Sequence, residues 1–297
     1  MDKLKPSKTL ILYKLFTSGV LVGVFSLSEL VVGIVQADFS ERPQANLEKA
    51  LSLIKRGYRE ADLIILPEYS MFNPLLVRDP RKVYELSEEP TTSKYLAGFV
   101  KLAESLGADI VVHFMEKSSM PPYTRSSTIL ITSRGEALYV YNKMHLFDAY
   151  GYRESEFFIP GTTPSKLVVI KNFETGFAIC YDLRFPELFR FYALSGAKLI
   201  VVQAGWIRGP LKETILDFLA SSRAHENTVY LVLANQVGEM FTGRSGVYSP
   251  WGYKELDMGY REGYIEHKLL LDEVERARNI IPVLRQSSEK WEVKLKR

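Results

Sequence analysis

The chain has one cysteine, Cys180, in 297 residues. An intrachain disulfide is therefore impossible, and the composition is compatible with a reducing compartment, so a cytoplasmic location is expected. Histidine is scarce as well. The four histidines, at positions 113, 145, 225 and 267, show no metal-ligand spacing. Several motifs are missing: Gly-x-Gly-x-x-Gly opening a helix, a P-loop, His-Glu-x-x-His, Cys-x-x-Cys and Gly-x-Ser-x-Gly. Their absence argues against a dinucleotide enzyme, an NTPase, a zinc protease and a serine esterase. Neither sign of charge dominates. The 38 Lys and Arg against 35 Asp and Glu give a net charge of +3, which is not the balance of a nucleic-acid binder. Long hydrophobic runs are lacking too. The apolar stretch 15–27 is broken up by Gly, Ser and Thr and falls short of the ~20 residues a membrane span needs. With Lys3, Lys5, Lys8 and Lys14 ahead of it and Ser26 and Ser28 at its end, it has the layout of a signal peptide or of an extension ahead of the domain. Residues 1–29 are accordingly expected to be disordered, mis-started or signal-like.

What is present is an ordinary globular composition, 46% hydrophobic and 25% charged, with ample material for a core. Strand-like, β-branched runs occur at 30–36, 63–66, 110–113, 128–132, 137–141, 167–170, 176–180, 199–203 and 230–235. Helical patterns lie between several of them, at 43–56, 93–106, 186–194 and 211–225. Strands alternating with helices predict an α/β fold. The two halves echo each other, which fits a two-sheet sandwich. The domain is expected over 30–285, with a charged, less regular stretch after about Val274 and a tail at 286–297.

Four residue types stand where chemistry is done. Cys180 closes an apolar run and leads into a turn and a helix start, where backbone N–H groups and a helix N-terminus favour a thiolate. The competing role is a buried cysteine acting as a small hydrophobe. Glu68 follows Leu63–Pro67 at the rim of a sheet, where ligand sites of α/β folds form, although a capping glutamate would look the same. Lys143 follows the run ending at Tyr141; most lysines in such places are solvated. Glu154 and Glu156 lie in an aromatic-rich loop ending in Pro160-Gly161, and one of them could face a cleft. His145 is close enough in sequence to Lys143 to suggest a Cys–His arrangement, but its context favours a packing role.

Glu68, Lys143 and Cys180, in that order and each at a strand end, resemble the Glu-Lys-Cys triad of the nitrilase, or carbon–nitrogen hydrolase, superfamily. The local words are Leu-Pro-Glu at 66–68, Tyr-Asn-Lys-Met-His-Leu-Phe-Asp at 141–148 and Cys-Tyr-Asp-Leu-Arg-Phe-Pro-Glu-Leu at 180–188. Further matches are Ala204-Gly205-Trp206, Arg223-Ala224-x-Glu226-Asn227, Ala234-Asn235-Gln236-x-Gly238 and Gly243-Arg244-Ser245-Gly246 leading to Pro250-x-Gly252. The resemblance implies an α-β-β-α sandwich, dimerised or further assembled. It also implies hydrolysis of a non-peptide C–N bond through a thioester. Cys180 would be the nucleophile and Glu68 the general base. Lys143 would meet the oxyanion together with the Tyr181 backbone N–H, and Glu154, rather than Glu156, would be the second glutamate. The residues after Cys180 look like the amidase-type branch that includes omega-amidases, which act on small dicarboxylate monoamides. True nitrilases tend to have Trp-Glu there. Arg184 and Trp206 are the candidate substrate-binding residues. Arg208 is a second candidate for a substrate carboxylate, and an internal salt bridge from Arg184 to Asp182 or Glu187 is the competing role for Arg184. Hydrolysis of N-carbamoyl amino acids is the alternative activity, followed by nitrile hydrolysis. A non-catalytic scaffold would be expected to have lost a triad residue. The implied partner is a small amide, with no nucleic acid and no membrane, and the thioester route requires neither metal nor organic cofactor.

Overall fold

In the computed structural model, which describes residues 28–295, β-branched runs form two six-stranded sheets. Of the extension expected over 1–29, residues 1–27 lie outside the described residues and Glu29 already belongs to the first strand. The first sheet holds β1 (Glu29–Gln36), β2 (Leu63–Ile65), β3 (Asp109–Lys117), β4 (Thr124–Ile131), β5 (Ala137–Asn142) and, from the far end of the chain, β12 (Gly263–Leu270). The second holds β6 (Val168–Ile170), β7 (Phe173–Ile179), β8 (Leu199–Ala204), β9 (Tyr230–Asn235), β10 (Gly246–Tyr248) and β11 (Lys254–Asp257). Their orders are β12-β1-β2-β3-β4-β5 and β11-β10-β9-β8-β7-β6. Each sheet has a central parallel trio, β1-β2-β3 in one and β7-β8-β9 in the other, flanked by antiparallel strands.

The alternation of side chains along β1 explains the layers. Leu30, Val32 and Ile34 point into the space between the sheets and join Phe177, Ile179, Val201 and Leu233 of the opposite sheet. Val31 and Val35 point outward, where they meet Leu47 and Leu53 of α1 (Pro43–Gly57). After the short α2 (Pro74–Val77) and α3 (Pro80–Leu86), α4 (Lys94–Leu106) adds Phe99 and Leu102 to the same outer layer. Ser93 caps α4 by accepting a hydrogen bond from the Leu96 N–H, and Gly107, at φ 67°, ends it in the left-handed conformation that glycine adopts without cost. On the other side, α5 (Pro186–Leu194) and α6 (Lys212–Asn227) contribute Leu188, Phe189, Leu216 and Ala220. The architecture is the expected α-β-β-α sandwich. Its strands β2, β5 and β7 end at one rim, which is what brings Glu68, Lys143 and Cys180 together.

The C-terminal third departs from expectation. Instead of an irregular stretch after Val274, α7 (Leu271–Ile280) and α8 (Val283–Ser288) form, with Val274 and Ala277 buried. Asp272 and Glu273 sit in the first turn of α7 and Arg278 in its last, complementing the helix dipole. The strands β10, β11 and β12 carry no strong apolar signal. β12 lies at a sheet edge and keeps Glu266, His267 and Lys268 on a half-buried ribbon, yet pairs along its length with β1. Among the described residues no helix is long and apolar enough to cross a membrane.

Phe99 is fully buried between α4 and the first sheet. Phe99→Ala is expected to cost about 3–5 kcal/mol in urea unfolding with an unchanged slope. A loss below about 1 kcal/mol would mean that this layer collapses around the cavity or is not part of the core.

Candidate active site

Glu68 sits two residues past an apolar run, at a corner held from both sheets. The chain turns at Tyr69, at φ 60°. The Tyr69 N–H donates to His113 Nδ1 at 3.1 Å. Gln203 donates to the Leu66 carbonyl at 2.7 Å and Gln236 to the Glu68 carbonyl at 2.9 Å. The Gly205 N–H donates to Glu68 Oε2 at 2.8 Å. Gly205 is needed there, because a Cβ would lie 3.1 Å from the rings of both Tyr69 and Phe241.

Lys143 leaves the end of β5 and is 1% exposed. Its ammonium donates to Glu68 Oε1 and to Glu154 Oε1, each at 2.7 Å. Glu154 lies in a 3-10 turn at Glu154–Glu156 that points it inward. There Oε1 also accepts the Tyr69 hydroxyl, and Oε2 accepts the Phe147 N–H at 2.7 Å. Glu156, two residues on, is exposed and lies 3.7 Å from Arg153. The cluster thus holds two carboxylates and one ammonium. Burial alone would neutralise the lysine, but Glu154 and Glu68 outweigh it and hold the ammonium protonated well above the usual lysine range. Glu68 is pushed up to about 7, first by burial and then by the Glu154 charge, with Lys143 pulling the other way. A carboxyl poised near neutrality beside a fixed cation can take and return a proton at ordinary pH.

Cys180 is the first residue of a 3-10 turn, Cys180–Arg184, and its φ of 44° places a non-glycine residue in the left-handed region. Such a conformation costs of the order of 1–3 kcal/mol and persists only where the surroundings fix it. Here Asp182 fixes it. Its buried carboxylate accepts the Ile179 N–H (2.9 Å), the Tyr141 hydroxyl (2.8 Å), the His145 N–H (3.0 Å) and His145 Nδ1 (2.7 Å). The His145 ring stacks on Phe185 at 3.6 Å between centroids. His145 is thus committed to structure, as its context indicated. One expectation is corrected. The strand end does not favour the thiolate at rest, because burial, followed by the charge of Glu68, pushes the thiol well above its ordinary range, with Lys143 opposing. The resting sulfur is a thiol beside a base.

Glu68, Glu154 and Cys180 line one pocket with Tyr181, Arg184, Gly205, Trp206 and Lys212, closed by the apolar Leu75, Phe147 and Ile207. Its volume is about 20 Å³, room for roughly one water. Arg184 makes no salt bridge with Asp182 or Glu187. Asp182 is saturated by other donors, and the guanidinium lies 4.9 Å from the Trp206 ring centroid with one terminal nitrogen buried and unpartnered. Arg208 is turned away, its Nε donating to the Gly238 and Phe241 carbonyls. Sequence reasoning missed Tyr69 and Lys212. Tyr69 adjoins Glu68, which was a usable signal. Lys212 opens a helix after Gly209-Pro210 and carried none.

Residues 31–279 match the model of the carbon-nitrogen hydrolase family. A deaminated glutathione amidase of Escherichia coli O157:H7 is 35% identical over 255 residues, covering 81% of this chain and 90% of that protein. Omega-amidase NIT3 of Saccharomyces cerevisiae is 29% identical over 278 residues, covering 87% and 93%. The crystal structure of the Caenorhabditis elegans NitFhit protein superposes with a TM-score of 0.82 at 25% identity, covering 92% of this chain and 68% of that one.

His113 supplies a pH test of the Glu68 corner. It is fully buried and held down to about 3, chiefly by burial and then by the Lys143 charge. Nδ1 accepts from Tyr69, so Nε2–H donates to Ser126 Oγ at 2.8 Å. Unfolding lets this ring bind a proton below its free value of about 6.5. Its contribution is therefore complete above that pH and is lost as pH falls toward 3, by up to about 1.4 kcal/mol per pH unit. The stability margin of the wild type over His113→Gln, measured by urea unfolding, is expected to shrink from pH 6.5 to pH 4. A margin constant over that range would show that His113 is not buried neutral.

Proposed function

This chain belongs to the carbon–nitrogen hydrolase family, within the nitrilase superfamily, and from that premise we propose that it is an amidase cleaving small carboxamides through a thioester on Cys180. The observation that carries the reading is the ammonium of Lys143 held between Glu68 and Glu154, the two carboxylates that line the pocket containing the thiol.

Glu68 takes the proton from Cys180 Sγ as the sulfur attacks the amide carbonyl carbon. The carbonyl oxygen becomes an oxyanion met by the Lys143 ammonium and by the backbone N–H of Tyr181, two donors fixed before reaction. Glu68 returns its proton to the amide nitrogen, the C–N bond breaks and ammonia leaves, with the acyl group on sulfur. A water molecule then gives its proton to Glu68 and attacks the thioester. The acid departs and the proton returns to Cys180. Glu154, fixed by Tyr69 and Phe147, positions Lys143 and contributes the negative charge that keeps it an ammonium. The wall of the pocket supports a substrate class. Arg184 lines the pocket and has one buried, unpartnered guanidinium nitrogen, which suits an amide bearing a carboxylate, as in omega-amidase substrates. Trp206 supplies an apolar surface beside it.

Ammonia release from a panel of dicarboxylate monoamides, deaminated glutathione, carbamoyl amino acids and nitriles tests the assignment. Turnover of the carboxylate-bearing amides is expected, with loss to background in Cys180→Ala and a fall of about 100- to 10,000-fold in Glu68→Gln. Activity surviving in Cys180→Ala refutes the thioester, and turnover of nitriles alone refutes the amidase reading. The pH profile gives an independent check. Because Glu68 must be ionised to accept the thiol proton and loses its proton at about 7, kcat/KM is expected to fall about tenfold per pH unit below that value. A flat profile between pH 5 and 8 would exclude Glu68 as the base.

A further inference from the structure

The wall of the pocket carries a cation that none of these steps uses. Lys212 is the first residue of α6, follows Leu211 at φ 59°, and is only 8% exposed. Its ammonium lies 3.8 Å from the centroid of the Tyr150 ring, 5.7 Å from that of Phe147 and 5.9 Å from that of Trp206. Among the described residues no carboxylate oxygen lies within 4.0 Å of it, and its Nζ makes no hydrogen bond. Aromatic faces attract a cation but do not neutralise it. Arg184, the second unpaired cation, lines the same pocket from the Cys180 side. Burial, and then repulsion from Arg184, hold Lys212 below the usual lysine range. Among the described residues neither cation has a carboxylate within 4.0 Å, and the two line the same pocket as Glu68 and Glu154, so they give that pocket a cationic side suited to an anionic group.

The cover over Lys212 is movable in kind. Tyr150 is 71% exposed and sits at φ 53° beside Gly151 at φ 84°, in the loop between β5 and the Glu154 turn. A Cβ on Gly151 would touch nothing within 4 Å, so the loop is not wedged in place there.

We propose that Lys212 is a specificity-determining residue, an ammonium parked on the Tyr150 ring that transfers to a carboxylate of the incoming amide and, with Arg184, selects anionic substrates over neutral ones. This rests on the amidase reading for the identity of the substrate, but not for the anion site itself. The pocket therefore discriminates by charge, and the discrimination survives without turnover.

Because Cys180 is the only cysteine in the chain, alkylation reads the anion site directly. Iodoacetate and iodoacetamide differ only in charge at the end that enters the pocket. In each case the sulfur forms a bond to the methylene carbon, iodide leaves, and the thiol proton passes to base. The ratio of the iodoacetate rate to the iodoacetamide rate is expected to fall about tenfold in Lys212→Met, which keeps an unbranched side chain, one atom shorter, but not its charge. Lys212→Arg is expected to restore most of the ratio, which a purely space-filling role would not produce. In parallel, the ratio of kcat/KM for a dicarboxylate monoamide to that for an uncharged amide of equal length is expected to fall about tenfold in Lys212→Met, mainly through KM. An alkylation ratio unchanged in Lys212→Met, or lowered equally by Arg and Met, overturns the proposal. A wild type that hydrolyses no amide yet keeps the charge-dependent alkylation would instead defeat the amidase reading and leave the anion site standing.

Discussion

A lysine with almost no exposure, clamped between two carboxylates 2.7 Å away on either side, is the constraint on which the rest of the structure depends. Burying such ions costs several kcal/mol each before their mutual attraction is counted, and removing one partner strands the others at a cost of about 3–5 kcal/mol. The fold meets that cost by converging on the cluster from many directions. Glu68 comes from the end of β2, Lys143 from the end of β5 and Glu154 from the turn that follows. Backbone N–H groups of Gly205 and Phe147 and the Tyr69 hydroxyl satisfy the remaining lone pairs. One negative charge remains in excess, and Glu68 accommodates it by being pushed up to about 7, with burial the larger cause. The imbalance that weakens the cluster as a structural element is what makes it suited to moving a proton.

Two quieter hubs support it. Asp182 ties the Tyr141 hydroxyl, on the strand that delivers Lys143, to the Ile179 N–H, beside Cys180, and so fixes the nucleophile relative to the cation. His113 holds the Tyr69 turn from the first sheet while Gln203 and Gln236 of the second sheet hold the Leu66 and Glu68 carbonyls. The positive φ values at Tyr69 and Cys180 mark where the chain is bent so that two side chains from opposite sheets look into one cavity.

Much of this was legible in the amino-acid sequence because the site stands at strand ends, two of the three strands being buried. The apolar runs before Glu68, Lys143 and Cys180 announce both the strand and the residue delivered by it. What stayed hidden depends on three-dimensional competition. Spacing alone does not separate Glu154 from Glu156, which the 3-10 turn sends to opposite sides. The salt bridge expected from Arg184 to Asp182 fails because that carboxylate is already occupied by four donors, three of them from Tyr141 and His145, 41 and 37 residues away in sequence. The thiolate expected at a strand end gives way to a thiol because burial and the Glu68 charge outweigh Lys143 and the Gly205 N–H. The strand β12 is masked by its edge position, and Lys212 reads as an ordinary solvated helix start until the Tyr150 ring is seen lying against it.

The most direct measurement of the central claim is mass spectrometry of wild-type protein quenched in acid within the first turnovers of a dicarboxylate monoamide, with the adduct mapped by digestion. The expected result is an acyl group, the amide less ammonia, on the peptide containing Cys180, appearing before the acid is released and absent from Lys143→Met. Ammonia released with no adduct on Cys180, or with an adduct on any other residue, would contradict the account.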